Sequence, residues 1–168
     1  MKARFNRKQF FIVSGGQTGA DQAALDWAIN NGVAHLGWCP KGRRTEEGAL
    51  DVRFRLSETP SSSYLQRTEW NVRDSDATLI FSMSEVLTGG SKQTADFATQ
   101  HGKPFFVMSP ARAVSGLISF LAEQKIERLN VAGSRKSTAP DVAEFVDLTL
   151  DVAIQLVDDD KGASSSAD

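Results

Sequence analysis

Phe10-Phe11-Ile12-Val13-Ser14-Gly15-Gly16-Gln17-Thr18-Gly19-Ala20-Asp21 runs from a short apolar segment through a glycine-rich turn into an amphipathic stretch. That order predicts a buried strand, a turn with little side-chain bulk and a helix N-terminus. Unpaired backbone N–H groups and the positive end of the helix dipole meet there, and glycine lets an anion come close to the backbone. The layout recurs after Leu79-Ile80-Phe81, as Thr88-Gly89-Gly90-Ser91, and after Leu129-Asn130-Val131, as Ala132-Gly133-Ser134-Arg135. One such turn is weak evidence for a ligand. Three of the same kind predict a shared pocket.

Working outward, residues 10–14 read as a first strand ended by glycine. Ala20 to Asn31 reads as a helix with Ala24, Leu25, Ala28 and Ile29 on one side and Gly32 as its stop. A brief strand follows at His35–Trp38. The polar segment 39–63 has no periodicity, and loops of that length are usually functional or disordered. Glu69 to Asp74 reads as a short helix or turn, Ala77–Met83 as a buried strand, Ser91–Gln100 as a helix and Phe105–Met108 as a strand. Ser109-Pro110 reads as an N-cap and first-turn proline for a helix carrying Val114, Leu117, Ile118 and Leu121. After a strand at Leu129–Ala132, Thr138 or Asp141 caps a last helix with Val142, Phe145, Val146, Ala153 and Leu156 on one side. Strands alternating with helices imply parallel pairing and right-handed crossovers, hence an open, three-layer α/β sheet with helices on both faces. Ligands in such folds bind beyond the carboxyl ends of the strands, the edge to which all three turns belong.

The 168 residues suffice for one compact domain, expected over residues 1–157, and 40% of them are hydrophobic. The tail 158–168 has no apolar residue larger than alanine and is expected to lack fixed structure. With 19 basic against 21 acidic residues the formal charge is −2, which argues against extended nucleic-acid binding. Cys39 is the only cysteine, so no internal disulfide can form, and no apolar run approaches the ~20 residues that span a bilayer. The basic start Met1–Lys8 lacks a secretory apolar core, and the chain reads as soluble and cytoplasmic with no membrane partner.

The first turn is neither standard phosphate loop. Gly15-Gly16-Gln17-Thr18-Gly19 lacks G-x-G-x-x-G spacing, and no Lys-Ser/Thr pair follows it. A hydride-transfer dinucleotide enzyme and an ATPase both lose weight. What remains is a cradle of Gly15, Gly16, Thr18 and Gly19 with Asp21 in the first helical turn; the plainer alternative is that the glycines only make the turn. Lys41, Arg43 and Arg44 crowd the long loop, Arg67 and Arg73 flank the segment before the central strand, and Arg135 and Lys136 occupy the third turn. Arginine holds oxyanions through planar, bidentate contacts. Lys41, Arg43, Arg73 and Arg135 are therefore candidate ligand contacts, Lys136 a surface charge. Glu69 and Asp96 are candidate acids should the chain be an enzyme. Cys39, His35 and His101 have no partners at metal-ligand spacing, so no metal site is expected, and no Ser/His/Asp arrangement can be defended. Trp27 reads as a core or subunit-contact residue, whereas Trp38 and Trp70 lie beside the polar segments.

Five ordered motifs carry a resemblance. Ser14–Asp21, Gly37-Trp38-Cys39-Pro40-Lys41-Gly42-Arg43-Arg44, Thr68-Glu69-Trp70-Asn71-Val72-Arg73-Asp74-Ser75-Asp76, Thr88–Ser91 and Ala132–Arg135 together resemble the "putative molybdenum carrier" family, across almost the whole of Phe10–Leu156. These are Rossmann-like proteins similar to molybdenum-cofactor carriers and related to lysine-decarboxylase-like phosphoribohydrolases. The resemblance implies a homo-oligomeric (dimeric or tetrameric) carrier of the molybdenum cofactor, or of a molybdate- or tungstate-like oxyanion. Its ligand would be held by Gly15, Gly16, Thr18 and Gly19, by Thr88, Gly89, Gly90 and Ser91, and by Gly133, Ser134 and Arg135, with Lys41, Arg43 and Arg73 around it. The alternative is a nucleotide-processing enzyme that hydrolyses the N-glycosidic bond of a nucleoside monophosphate. Phosphoribohydrolases carry G-G-x-G-T-x-x-E; here Gly89-Gly90-Ser91-Lys92-Gln93-Thr94-Ala95-Asp96 replaces the internal Gly-Thr and ends in the shorter aspartate, which favours binding over hydrolysis.

Overall fold

A computed structural model describes residues 1–159. Five parallel strands form the central sheet in the order β3-β2-β10-β8-β9: β2 Phe11–Val13, β3 Ala34–Leu36, β8 Ala77–Phe81, β9 Phe105–Met108 and β10 Arg128–Gly133. Every residue of β8 is buried, the continuous apolar pattern of a strand covered on both faces. Helices α1 Ala20–Asn30, α4 Val114–Glu123 and α5 Val142–Ala153 pack together, and α2 Tyr64–Arg73 packs on α3 Gly89–Gln100. The three-layer, Rossmann-like α/β architecture expected from the alternation is therefore present. Among the described residues, no helix is long and apolar enough to cross a membrane.

The principal core joins Ile12, Leu79, Phe81, Leu129 and Val131 of the sheet to Ala24, Trp27 and Ala28 of α1, Leu117 and Leu121 of α4, and Val142, Val146 and Leu150 of α5. The small alanines let α1 lie close to its neighbours, and Trp27 Nε1 donates to Asp151 Oδ1 at 2.8 Å, tying α1 to α5. Trp27 is thus a core residue, 2% exposed.

Several boundaries differ from the sequence reading, each for a physical reason. Helix α2 starts at Tyr64, five residues before the expected Glu69, and its buried positions are Arg67, Asn71 and Val72. A helix that buries polar side chains shows no apolar period. Helix α4 starts at Val114, because Ser109-Pro110 instead begins a turn in which Arg112 N–H donates to the Ser109 carbonyl at 3.0 Å. Asp141 precedes α5 but makes no side-chain cap bond, and Leu156 lies not on α5 but on β11 Ile154–Val157. That strand pairs in parallel with β1 Ala3–Asn6, hidden in the basic N-terminal run. The strand expected at His35–Trp38 divides at Gly37 into β3 and β4 Trp38–Cys39. Of the tail, Asp158 pairs with Arg7 at 2.9 Å and Asp159 accepts from Asn6 at 3.4 Å; the expectation for residues 160–168 lies outside the described residues.

The segment 39–63 is an organised structure. Strands β5 Arg44–Thr45 and β6 Gly48–Ala49 form a small antiparallel hairpin, and β7 Ser57–Glu58 pairs with β4. Leu50, Phe54 and Leu56 make a second small core with Leu25 and Cys39. The Arg43 guanidinium donates to the carbonyls of Leu50, Asp51, Phe54 and Leu56, at 3.3, 2.9, 2.7 and 3.4 Å. Replacing Arg43 with alanine removes all four bonds, although the Asp51 and Phe54 carbonyls keep the N–H groups of Phe54 and Leu56, and is expected to lower the unfolding free energy by about 2 kcal/mol. Urea denaturation checks this, and a change below roughly 0.5 kcal/mol contradicts the assigned role.

Candidate functional site

The three glycine turns meet at the carboxyl edge of the sheet. Ala20 N–H donates to the Ser134 carbonyl at 3.1 Å, Ser134 N–H to Phe81 at 3.0 Å, and Lys136 N–H to Thr18 Oγ1 at 3.3 Å. A Cβ added at Gly19, whose φ is +83°, would lie 2.4 Å from the Ser134 carbonyl oxygen, so only glycine allows the first and third turns to touch as they do.

This contact packs the first turn against the third, and donors around it are met from within the chain. Asp21, 6% exposed, turns its carboxylate back and accepts the Gln17 N–H at 3.1 Å. The buried Arg67 donates to the Gly15 carbonyl at 2.7 Å and lies 3.6 Å from Asp21 Oδ2. Glu46, at the tip of the β5–β6 hairpin, accepts from Thr18 Oγ1, from Ser137 N–H at 3.2 Å and from Ser137 Oγ at 2.6 Å. Two carboxylates of the chain thus serve the donors around the N-terminus of α1, where a ligand anion was expected. The glycines make room for protein: a Cβ at Gly15 would strike Arg67 and one at Gly16 would strike Leu50.

Open space lies on either side. One cleft of about 530 Å³ runs between the start of α2 and α3 and is lined by Gln17, Asp21, Arg44, Ser61–Tyr64, Arg67, Gly90, Gln93, Thr94, Gly133 and Arg135, among others. A second, of about 570 Å³, is lined by Ser82–Ser84, Val86, Thr88–Ser91, Gly133–Arg135 and Ser137–Ala139. Gly90, Gly133 and Arg135 belong to both. At the start of α3 a Cβ on Gly89 or Gly90 would meet nothing within 4 Å, and Thr88 makes no side-chain cap bond. The first N–H groups of that helix therefore face open space.

Charge gathers in the first cleft. The guanidinium carbons of Arg44, Arg67 and Arg135 lie 4.5, 5.1 and 4.9 Å from the centre of the Tyr64 ring. Arg67 is paired with Asp21; among the described residues, Arg44 and Arg135 have no carboxylate partner. Burial pushes the Asp21 carboxyl up to about 6, against the lowering influence of Arg67, the Gln17 N–H and Arg135. Hydrogen bonds from Ser137 and Thr18 hold Glu46 below the ordinary carboxylate range.

The expected site residues separate accordingly. Gly90, Gly133 and Arg135 stand between the clefts, and Thr88, Gly89, Ser91 and Ser134 line the second. Gly15, Gly16, Thr18 and Gly19 line neither; Gly15 borders only a crevice of about 20 Å³ beside Arg67. Arg43 is committed to its own loop, and Lys41 is exposed outside both clefts. Arg73, at the far end of α2, pairs with Asp74 at 2.8 Å and lies over Trp70. Asp96 pairs with Lys92 at 2.8 Å, and Glu69 meets His101 Nε2 at 3.1 Å, away from both clefts. Among the described residues, no three His, Cys, Asp or Glu side chains could hold a metal ion. Tyr64 and Gln17 also line the first cleft without having been singled out in the sequence, where Arg44 and Arg67 stood only among the cations beside the turns. Helical spacing of Arg67 with Asn71, four residues on, was the available signal.

Because the folded Asp21 carboxyl titrates near 6 and an unperturbed one near 3.8, the folded chain holds a proton that the unfolded chain has released in between. The contribution of Asp21 to stability is fully present below the lower value and is lost as pH rises through the upper one. The unfolding free energy of the wild type, relative to that of Asp21→Asn, should therefore fall between pH 4 and pH 6.5 (approximate limits set by those two values). Denaturation curves across this range check it; a pH-independent difference contradicts it.

Comparison with known proteins agrees with the fold. Residues 12–154 match the circularly permutated YpsA SLOG family. A crystal structure of a "putative molybdenum carrier protein" from Syntrophus aciditrophicus SB is 40% identical, covers 84% of this chain and 92% of its own, and superposes with a TM-score of 0.80. No curated protein matched. The chain belongs to the circularly permutated YpsA SLOG family.

Proposed function

We propose that this protein is a carrier that binds the molybdenum cofactor or a related phosphate- or oxyanion-bearing ligand in the joined clefts between α2, α3 and β10. The observation that carries this reading is the convergence of Arg44, Arg67 and Arg135 on Tyr64, beside the uncapped, glycine-lined start of α3. Guanidinium groups match the oxygens of phosphate and of metal oxyanions, and a helix N-terminus adds N–H donors and a favourable field. The donor set fits the anionic parts of such a cargo: arginine for its oxo or phosphate oxygens, the α3 N–H groups for a second anionic group. The clefts are large enough for more than a bare oxyanion, and Arg135 reaches both. The name of the 40% identical Syntrophus protein supports the same cargo class.

The hydrolytic reading has less support, because Asp96 and Glu69 are engaged elsewhere and the carboxylate lining the first cleft belongs to Asp21, held by Arg67 and backbone N–H groups. Native mass spectrometry with metal analysis of freshly purified protein tests the carrier reading. A copurifying phosphate-bearing or molybdenum-containing species is expected; ligand-free protein that binds neither molybdate nor a pterin phosphate contradicts it. Arg135→Ala should weaken molybdate binding about tenfold or more, the scale of one lost charge-assisted contact, while the fold stays intact. Unchanged affinity in calorimetry would count against the assigned cleft.

A further inference from the structure

Gln17 is 4% exposed, yet half of its carboxamide has nothing to bind. Its Oε1 accepts two backbone N–H groups, from Thr18 at 3.1 Å and from Glu46 at 3.0 Å. Those bonds fix which end of the amide is which, because a flipped amide would set its NH2 against two donors. Nε2 then points away from both, is itself buried, and meets no acceptor among the described residues. Buried polar groups are nearly always paired, so a lone amide NH2 on a residue that lines a cleft calls for an occupant.

The chemistry of that cleft says what kind of occupant. Arg44, Arg67 and Arg135, all donors, line the same cleft as Gln17 and gather on Tyr64. The one carboxylate among them, Asp21, already serves the Gln17 N–H and Arg67. The Thr94 hydroxyl is spent on the Gly90 carbonyl at 2.8 Å. An entering group must therefore bring acceptors and negative charge. It must also be compact enough to reach Gln17 past the arginines, which excludes a heterocycle stacked on Tyr64, whose ring the three guanidinium groups already surround.

We infer that Gln17 Nε2, with Arg67 and Arg135, forms the seat of a tetrahedral oxyanion at the base of the first cleft, and that Gln17 is a ligand-binding residue of this protein. The inference rests on the carrier reading and adds where the oxo or phosphoryl end of the cargo sits. It also gives the first glycine turn a part in binding, through the Gln17 side chain.

The test uses the 15N-labelled full chain titrated with inorganic phosphate and, separately, with molybdate. The side-chain NH2 signals of Gln17 are assigned by their absence in Gln17→Glu, which keeps an acceptor oxygen for Thr18 and Glu46 but removes the donor. The Gly90 backbone N–H reports independently that an anion has entered the cleft. The Gln17 signals should shift and saturate at the same anion concentration as the Gly90 signal. Both Gln17→Glu and the uncharged Gln17→Met should bind the anion about tenfold more weakly or worse, the scale of a lost hydrogen bond to a charged group. Gly90 saturating while the Gln17 signals stay still, or Gln17→Met binding as the wild type does, overturns the seat and leaves the carrier reading standing. No shift at either residue with either anion overturns both.

Discussion

The buried contact between Asp21 and Arg67 is the constraint on which the site depends. A carboxylate and a guanidinium taken out of water gain from each other only if their remaining donors and acceptors are also satisfied. Here they are met by the backbone of the first glycine turn: Asp21 accepts from Gln17, and Arg67 donates to the Gly15 carbonyl. The pair therefore pins helix α2 to the turn between β2 and α1. Gly15 is glycine because the guanidinium passes where a Cβ would stand. Removing one partner leaves the other charged and buried, which is why the turn, the helix and the cleft wall behave as one unit.

That closure moves the anion-binding capacity of the edge. The carboxylates of Asp21 and Glu46 take donors just outside the N-terminus of α1 and set the chain's own negative charge at that end of its dipole. Helix α3 has no such partner at its glycine-lined start. Arg67, neutralised by Asp21, leaves Arg44 and Arg135 as the cations whose charge faces the first cleft without a carboxylate against it. One edge of a doubly covered sheet thus presents one turn filled by protein and two turns bordering open space.

Much of the fold was legible in the sequence. The apolar runs at Phe11–Val13, Ala77–Phe81 and Leu129–Ala132, each followed by glycine and a helix, gave the alternation and the edge where the turns gather. Elements held by polar contacts were not. Helix α2 buries Arg67 and Asn71, the latter bonded to the backbone of Trp38 at 2.8 and 2.9 Å, and such a face has no hydrophobic period. The segment 39–63 draws its order from Arg43 on four carbonyls and from a core of Leu50, Phe54 and Leu56, contacts between residues with no regular spacing. For the site, glycine spacing located the edge but could not reveal which turn was filled. An aspartate in the first turn of a helix reads as a dipole partner whether it faces solvent or curls back onto its own glycines. Arg43 and Arg73 show the same limit: an arginine beside a glycine turn looks alike in sequence whether its guanidinium faces a ligand or binds carbonyls and Asp74.

The central claim is that the cargo anion lies in the cleft between α2, α3 and β10, and not in the first glycine turn. Anomalous diffraction from crystals soaked in molybdate, recorded at the molybdenum edge, tests it most directly. A peak is expected among Gln17, Arg67 and Arg135, with Asp21 and Glu46 still bound to the first turn. A peak against the N–H groups of Gly15–Gly19, with either carboxylate displaced, would contradict it.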